Sequence, residues 1–318
     1  MATLQLALDF VNLSQAIRAA KEAVQAGEIW LEAGTPLIKS EGVEAVRALR
    51  AEFPNHTIIA DMKVMDAGRT ETEIATKAGA DIVAVLGASA DSTIADCVEA
   101  AGHYNARIMV DLAEVADPAA RAVRAQELGA AIVGVHCPID VQMQGGSPME
   151  TLREVAAAVD IPIAVAGGIN SETAPEAIAS GASIVIVGGA INKAPNATEA
   201  TATILGAMES GEAAETALYK RVRAEGIREA LEGAASADIA TAMHHEGHLV
   251  NITAVQPGLK CIGPAFTVWA YPGDWHWPVR AIDMANPGDV LVIDVRGEPP
   301  AVWGEQATKS CVQRGIAG

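Results

Sequence analysis

Eight short apolar runs, each followed by a segment of helical periodicity, fill the first two-thirds of this chain. The runs cover residues 4–9, 29–33, 57–62, 82–86, 107–111, 131–136, 162–166 and 183–187. Amphipathic stretches at 14–26, 41–52, 69–78 and 91–103 separate the first of them. Gly27, Gly79, Gly102, Gly129 and Gly181 stand where a left-handed residue closes a helix. Eight strands alternating with eight helices within about 210 residues predict an α/β chain folded as a (β/α)8 TIM barrel. An open doubly wound sheet is the rival, and it more often has fewer strands.

The balance of residue types agrees. Half of the 318 residues are hydrophobic and only 3% aromatic, as suits a buried parallel sheet built from Ala, Val, Ile and Gly. A net charge of -18 argues against a broad nucleic-acid or anionic-membrane surface. A phosphorylated substrate stays open, because backbone N–H groups and a cation outweigh the global field locally. The four cysteines (Cys97, Cys137, Cys261, Cys311) form no Cys-x-x-Cys pair and read as reduced thiols of a cytoplasmic protein. No secretion signal and no apolar run of membrane-spanning length is visible.

In such a barrel the chemistry collects at the C-terminal ends of the strands. Reading those ends in order gives Asp9, Glu32, Asp61 with Lys63 and Asp66, Asp111 and His136, then the pairs Gly167-Gly168 and Gly188-Gly189. Asp61 and Lys63 share one strand face. Taken alone they read equally as a structural ion pair, since charges on an apolar face need a partner. The recurrence of ionisable strand ends favours a site. The glycine pairs are either tight turns or, as their place after the last two strands favours, backbone cradles for phosphate. Glu32 and Asp61 suit Mg2+, which takes oxygen ligands and keeps several waters. Lys63, among carboxylates, is suited to neutralise a developing enolate. His136 offers an imidazole for proton transfer. Asp111 is either part of the site or a strand terminus, and Cys137 reads as incidental.

These stretches resemble the hexulose-6-phosphate synthases of the orotidine-5′-phosphate decarboxylase suprafamily over residues 1–210. The resemblance rests on Leu8-Asp9, Glu32-Ala33-Gly34-Thr35-Pro36-Leu37-Ile38, Asp61-x-Lys63-x-x-Asp66-Ala67-Gly68 and Ala78-Gly79-Ala80-Asp81. His136-x-x-x-Asp140 and Ala166-Gly167-Gly168-Ile169 continue it. It implies a Mg2+-dependent, reversible aldol condensation of formaldehyde with ribulose 5-phosphate through an enediolate. The metal would sit on Glu32 and Asp61, Lys63 would stabilise the anion, and His136 would move the proton. Asp9 and Asp66 would position Lys63 and the substrate hydroxyls. The resemblance also implies a homodimer. The sister family, 3-keto-L-gulonate-6-phosphate decarboxylase, typically carries Arg where this chain has Ile139, which favours the synthase. Cys137-Pro138 departs from the pair expected there.

After a helical linker at 211–235, residues 236–318 resemble the N-terminal part of the RraA-like family of ribonuclease E regulators and metal-dependent aldolases. Ser236-Ala237-Asp238-Ile239-Ala240, Gly263-Pro264-Ala265-Phe266-Thr267-Val268 and Asn286-Pro287-Gly288-Asp289-Val290 carry that resemblance. Trp303-Gly304-Glu305 and Arg314-Gly315-Ile316-Ala317-Gly318 extend it. The family's Asp-Gly-x-x-Arg-Asp motif, with its metal ligand and substrate Arg, does not follow. This third is therefore expected to be a partial module, truncated in this chain, vestigial or regulatory, and a regulator that docks on a ribonuclease is the alternative for the whole chain. Strand-like runs at 261–271 and 290–295 flank Pro272-Gly273-Asp274 and Pro287-Gly288-Asp289 turns. The His244-His245-x-x-His248 cluster lacks a carboxylate or Cys at ligand spacing and reads as a polar helix end.

Overall fold

The computed structural model describes residues 2–216, 226–243, 248–249 and 252–318. The chain divides into two compact units, residues 1–221 and 222–318.

In the first unit eight parallel strands close a barrel in sequence order: β1 (Thr3–Leu8), β2 (Trp30–Ala33), β3 (Ile58–Val64), β4 (Ile82–Leu86), β5 (Arg107–Asp111), β6 (Ile132–His136), β7 (Ile163–Ala166) and β8 (Ile184–Val187). Parallel pairing of β1 with β8, Thr3 opposite Ile184, completes the ring. Alternation then sorts the side chains. One set packs outward with the helices as the main core, including Leu4, Leu6, Leu8, Leu31, Val83, Val110 and Val185. The other set faces the barrel axis, where Ile59, Ile82, Met109, Ile132, Ala164 and Ile184 fill the interior as a separate apolar layer. Barrel interiors are packed cores and not pores, so this layer is a floor, and what stands above it at the strand ends forms the mouth.

Several local expectations change. The helix expected at 41–52 runs Glu44–Glu52, and a further helix, Thr35–Glu41, precedes it, with Gly42 at φ +69° breaking the ladder between them. Gly79, Gly129 and Gly181 have positive φ as expected, whereas Gly27 is extended and Gly102 stays in its helix, Asp91–Gly102. The left-handed residue there is Asn105, at φ +55°, since Asn is tolerated in that region. β3 runs two residues past its expected end and shifts register between Ala60 and Val64. The helix Ala197–Ser210 passes through Gly206 and stops at Gly211, which is left-handed at φ +71°.

In the second unit β9 (Ala265–Trp269) and β10 (Val290–Asp294) pair in parallel, Val290 opposite Ala265, and the helix His276–Met284 connects them. The strands are shorter than the sequence pattern predicts. Gly273 and Gly288 have φ of +80° and +93°, as their Pro-Gly-Asp turns require. Of the linker expected to be helical, Ile227–Glu232 is helix and residues 217–225 lie outside the described part. Among the described residues no helix is long and apolar enough to cross a membrane.

Candidate active site

Further along β2, β3, β5 and β6 the inward positions change from apolar to ionisable. Ile59 is followed by Asp61 on β3, and Met109 by Asp111 on β5; on β6 the spacing places His136 four residues after Ile132. Trp30 of β2 is followed by Glu32, which is buried. The same alternation that builds the floor thus aims these groups at the mouth.

The organising side chain is Lys63. Its backbone is left-handed, φ +48°, within the β3 irregularity. A bulge re-aims a side chain in this way, and a strained non-glycine residue at a strand end is a common mark of a functional site. Lys63 Nζ donates to Asp111 Oδ2 at 2.7 Å and to Asp61 Oδ1 at 3.2 Å. His136 Nδ1 lies 3.1 Å from the same Asp111 oxygen. A ring nitrogen facing a carboxylate carries the proton, so Nε2 is left as the exchangeable position. Asp111 Oδ1 accepts from the Ala113 backbone N–H at 2.9 Å. The Thr35 hydroxyl sits 2.6 Å from Asp61 Oδ2, and Gln5 Nε2 donates to Glu32 Oε2.

Charge explains the behaviour of these groups. Burial alone would lower the Lys63 ammonium, but the Asp61 and Asp111 carboxylates outweigh it and hold its pKa above the ordinary value. Burial would raise Asp111, yet the hydrogen bond from His136 and the charge of Lys63 hold it well below the usual carboxylate range. Glu32 moves the other way: burial, then the negative charges of Asp61 and Asp9, push it well above its ordinary value. Asp9 is raised by burial and then by Asp61. Four carboxylates against one lysine and one imidazole leave an excess of negative charge at the Glu32, Asp61 and Asp9 side. That side fits a divalent cation. Among the described residues no set of three or more His, Cys, Asp or Glu converges as a complete ligand cage. One or two carboxylates, completed by substrate oxygens and water, is the kind of donor set that Mg2+ takes.

Glycines shape the rest. A Cβ on Gly34 would overlap Asp9 Oδ1, and one on Gly188 would come within 3.1 Å of Asp9 Oδ2. Gly167 and Gly168 have φ of +109° and +74°, and a Cβ on Gly167 would meet the Cys137 carbonyl at 2.5 Å. Gln142 Nε2 donates to that same carbonyl at 2.6 Å, a bond within the segment that follows β6. Gly188 precedes a single helical turn, Gly189–Asn192. The Cys137 thiol is buried, and burial pushes its pKa up, which disfavours the thiolate.

The structure therefore brings together Asp9, Glu32, Asp61, Lys63 and His136, with Asp111 holding both Lys63 and His136. Asp66 does not join them. It is exposed, and its Oδ1 accepts from the Ala67 backbone N–H at 2.7 Å, at the start of the helix Gly68–Lys77. The sequence pattern does not single out Gln5, Thr35 or Gly34 as site residues. Gln5 alone leaves a signal, as a lone amide in an otherwise apolar strand. In the second unit His244 and His245 lie outside the described residues.

Comparison with known proteins identifies the family of the barrel. Residues 2–204 match the model of the orotidine 5′-phosphate decarboxylase / HUMPS family, and residues 236–318 match that of Aldolase/RraA. The 3-hexulose-6-phosphate synthase of Bacillus subtilis (strain 168) is 41% identical over 197 residues, 62% of this chain and 93% of the relative. The crystal structure of 3-hexulose-6-phosphate synthase from Salmonella typhimurium superimposes with TM-score 0.64 at 35% identity, covering 67% of this chain and all of the other. That of 3-keto-L-gulonate-6-phosphate decarboxylase from Vibrio cholerae gives 0.58 at 27% identity, covering 66% and 98%. The barrel is that of an enzyme, and this chain belongs to the orotidine 5′-phosphate decarboxylase / HUMPS family, with an Aldolase/RraA-like segment after it.

Proposed function

We propose that the barrel is a 3-hexulose-6-phosphate synthase, joining formaldehyde to D-ribulose 5-phosphate in a reversible, Mg2+-dependent aldol reaction. The observation that carries this reading is one ammonium, Lys63, shared by Asp61 and Asp111, with His136 on the same Asp111 oxygen. Such an array holds one positive charge and one proton carrier side by side. That is what enolisation next to a carbonyl needs.

His136, oriented by Asp111, takes the proton from C1 of the ribulose phosphate, and the electron pair passes into an enediolate. Lys63 stays protonated and faces the oxygen on which charge develops. Held by Glu32 and Asp61, a divalent cation would supply further charge neutralisation at the substrate oxygens. The enediolate carbon then attacks formaldehyde, forming the new C–C bond, and the proton returns to the formaldehyde oxygen. Backbone N–H groups at Gly167, Gly168, Gly188 and Gly189 hold the phosphate. A homodimer belongs to the same proposal, and sedimentation of the purified protein tests it.

Ile139 supports the synthase over the sister decarboxylase. It is an exposed apolar residue at the start of the turn Ile139–Met143 and offers no charge to a substrate carboxylate. The test is formaldehyde consumption by the purified protein with ribulose 5-phosphate and Mg2+, against an EDTA control. A hexulose phosphate formed only with metal upholds the reading. Turnover of 3-keto-L-gulonate 6-phosphate instead assigns the decarboxylase, and silence on both substrates removes the catalytic reading.

A further inference from the structure

Beneath the carboxylates the barrel interior is apolar around most of its girth, with Ile59, Ile82, Met109, Ile132, Ala164 and Ile184 forming the layer. β1 interrupts it with Gln5, which is fully buried and lies opposite Trp30 of β2 and Ile186 of β8. Its Nε2 donates to Glu32 Oε2. Its Oε1 is buried and meets no donor. A hydrophobic side chain would fill this place without an orphaned acceptor. The amide therefore answers to Glu32 and not to packing.

The choice of a neutral donor is informative. A lysine or arginine beneath Glu32 would cancel the negative charge that a cation needs, whereas an amide orients the carboxylate and leaves the charge in place. Among the described residues Gln5 is the side chain that holds Glu32, and it holds one oxygen of the two. We propose that Gln5 is a positioning residue for cation binding: it fixes Oε2 of Glu32 so that Oε1 is presented to a divalent ion at the mouth. This rests on the reading of Glu32 as a ligand given above.

The experiment measures Mn2+ affinity of the whole protein, without substrate, by water-proton relaxation. Gln5→Met keeps the volume and removes the donor. It is expected to raise the Kd for Mn2+ about tenfold or more, with the circular dichroism spectrum unchanged. Its kcat at saturating Mn2+ should recover to near the wild-type value, a split that general structural damage would not produce. Glu32→Gln should weaken Mn2+ binding by itself, and Gln5→Met added to it should cause no further loss. A Gln5→Met protein with the wild-type Kd, or a second full loss in the double variant, overturns the positioning role. Should Gln5→Met fail to fold, the side-chain amide resonance of Gln5 in the wild-type protein decides: it shifts on titration with Mg2+, and an unmoved resonance overturns the role. A wild-type protein that binds no Mn2+ overturns the cation assignment itself, so the two failures are distinguishable.

Discussion

Lys63 Nζ lies 2.7 Å from Oδ2 of Asp111, a carboxylate whose side chain is 8% exposed, although the two residues stand 48 positions apart in the chain. The pair joins the bulged end of β3 to the end of β5. Because the same oxygen also meets His136, Asp111 couples the site's fixed positive charge to its proton carrier.

Replacing Asp111 by Asn removes the charge that both partners face. Breaking a buried ion pair from one side costs about 3 kcal/mol or more, so denaturant unfolding should move to a clearly lower midpoint. Turnover should fall by at least about 10²-fold, as when a charge-orienting partner is lost. A variant with wild-type kcat would show that Asp111 only closes its strand.

Lys63→Ala tests the electrostatic role directly. If the ammonium stabilises the enediolate, kcat should drop about 10²-fold or more with little change in substrate affinity. An unchanged rate would transfer that role wholly to the cation. Asp61→Ala should abolish metal-dependent turnover while the fold persists, as read by circular dichroism.

Glu32 sets the pH dependence of stability. Its folded pKa is raised, as is that of Asp9, so the folded state binds these protons more tightly than the unfolded chain does. Their stability contribution is fully present below the ordinary carboxylate range and is lost as pH rises through the raised values. Asp111 acts oppositely: its lowered pKa gives stability present above the ordinary carboxylate range and lost in stronger acid. Without divalent cation the protein should therefore melt higher at mildly acid pH than at pH 8. Glu32→Gln should flatten that slope and raise the melting temperature at pH 8, by about 2–4 °C for each kcal/mol of repulsion relieved, while losing activity. A Glu32→Gln protein that melts lower at every pH would contradict the assignment.

Gly34 tests the shape of the mouth. A methyl group there would overlap Asp9 Oδ1 and press on the Leu8 carbonyl. Gly34→Ala should destabilise by about 1–3 kcal/mol through overpacking and lower kcat/KM at least about tenfold by displacing Asp9. Wild-type kinetics in this variant would remove Asp9 from the site.

The sequence by itself determined the barrel, because alternation of period two and helical period repeat eight times and only closure buries every strand. It also marked the strand ends, since an ionisable group two steps beyond an apolar inward residue is a local pattern. It did not determine which of those groups meet. Asp66 stands three residues from Lys63 and yet turns to its own helix start, whereas Asp111, two strands away on β5, meets Lys63 and His136. The left-handed backbone at Lys63 arises from a register shift between neighbouring strands, a relation no single strand encodes. Gln5 reads in the sequence as one polar residue in an apolar strand; closure of β1 against β2 alone puts Glu32 beside it. Periodicity is carried by neighbours along the chain, while charge pairing depends on distances that only the closed barrel sets.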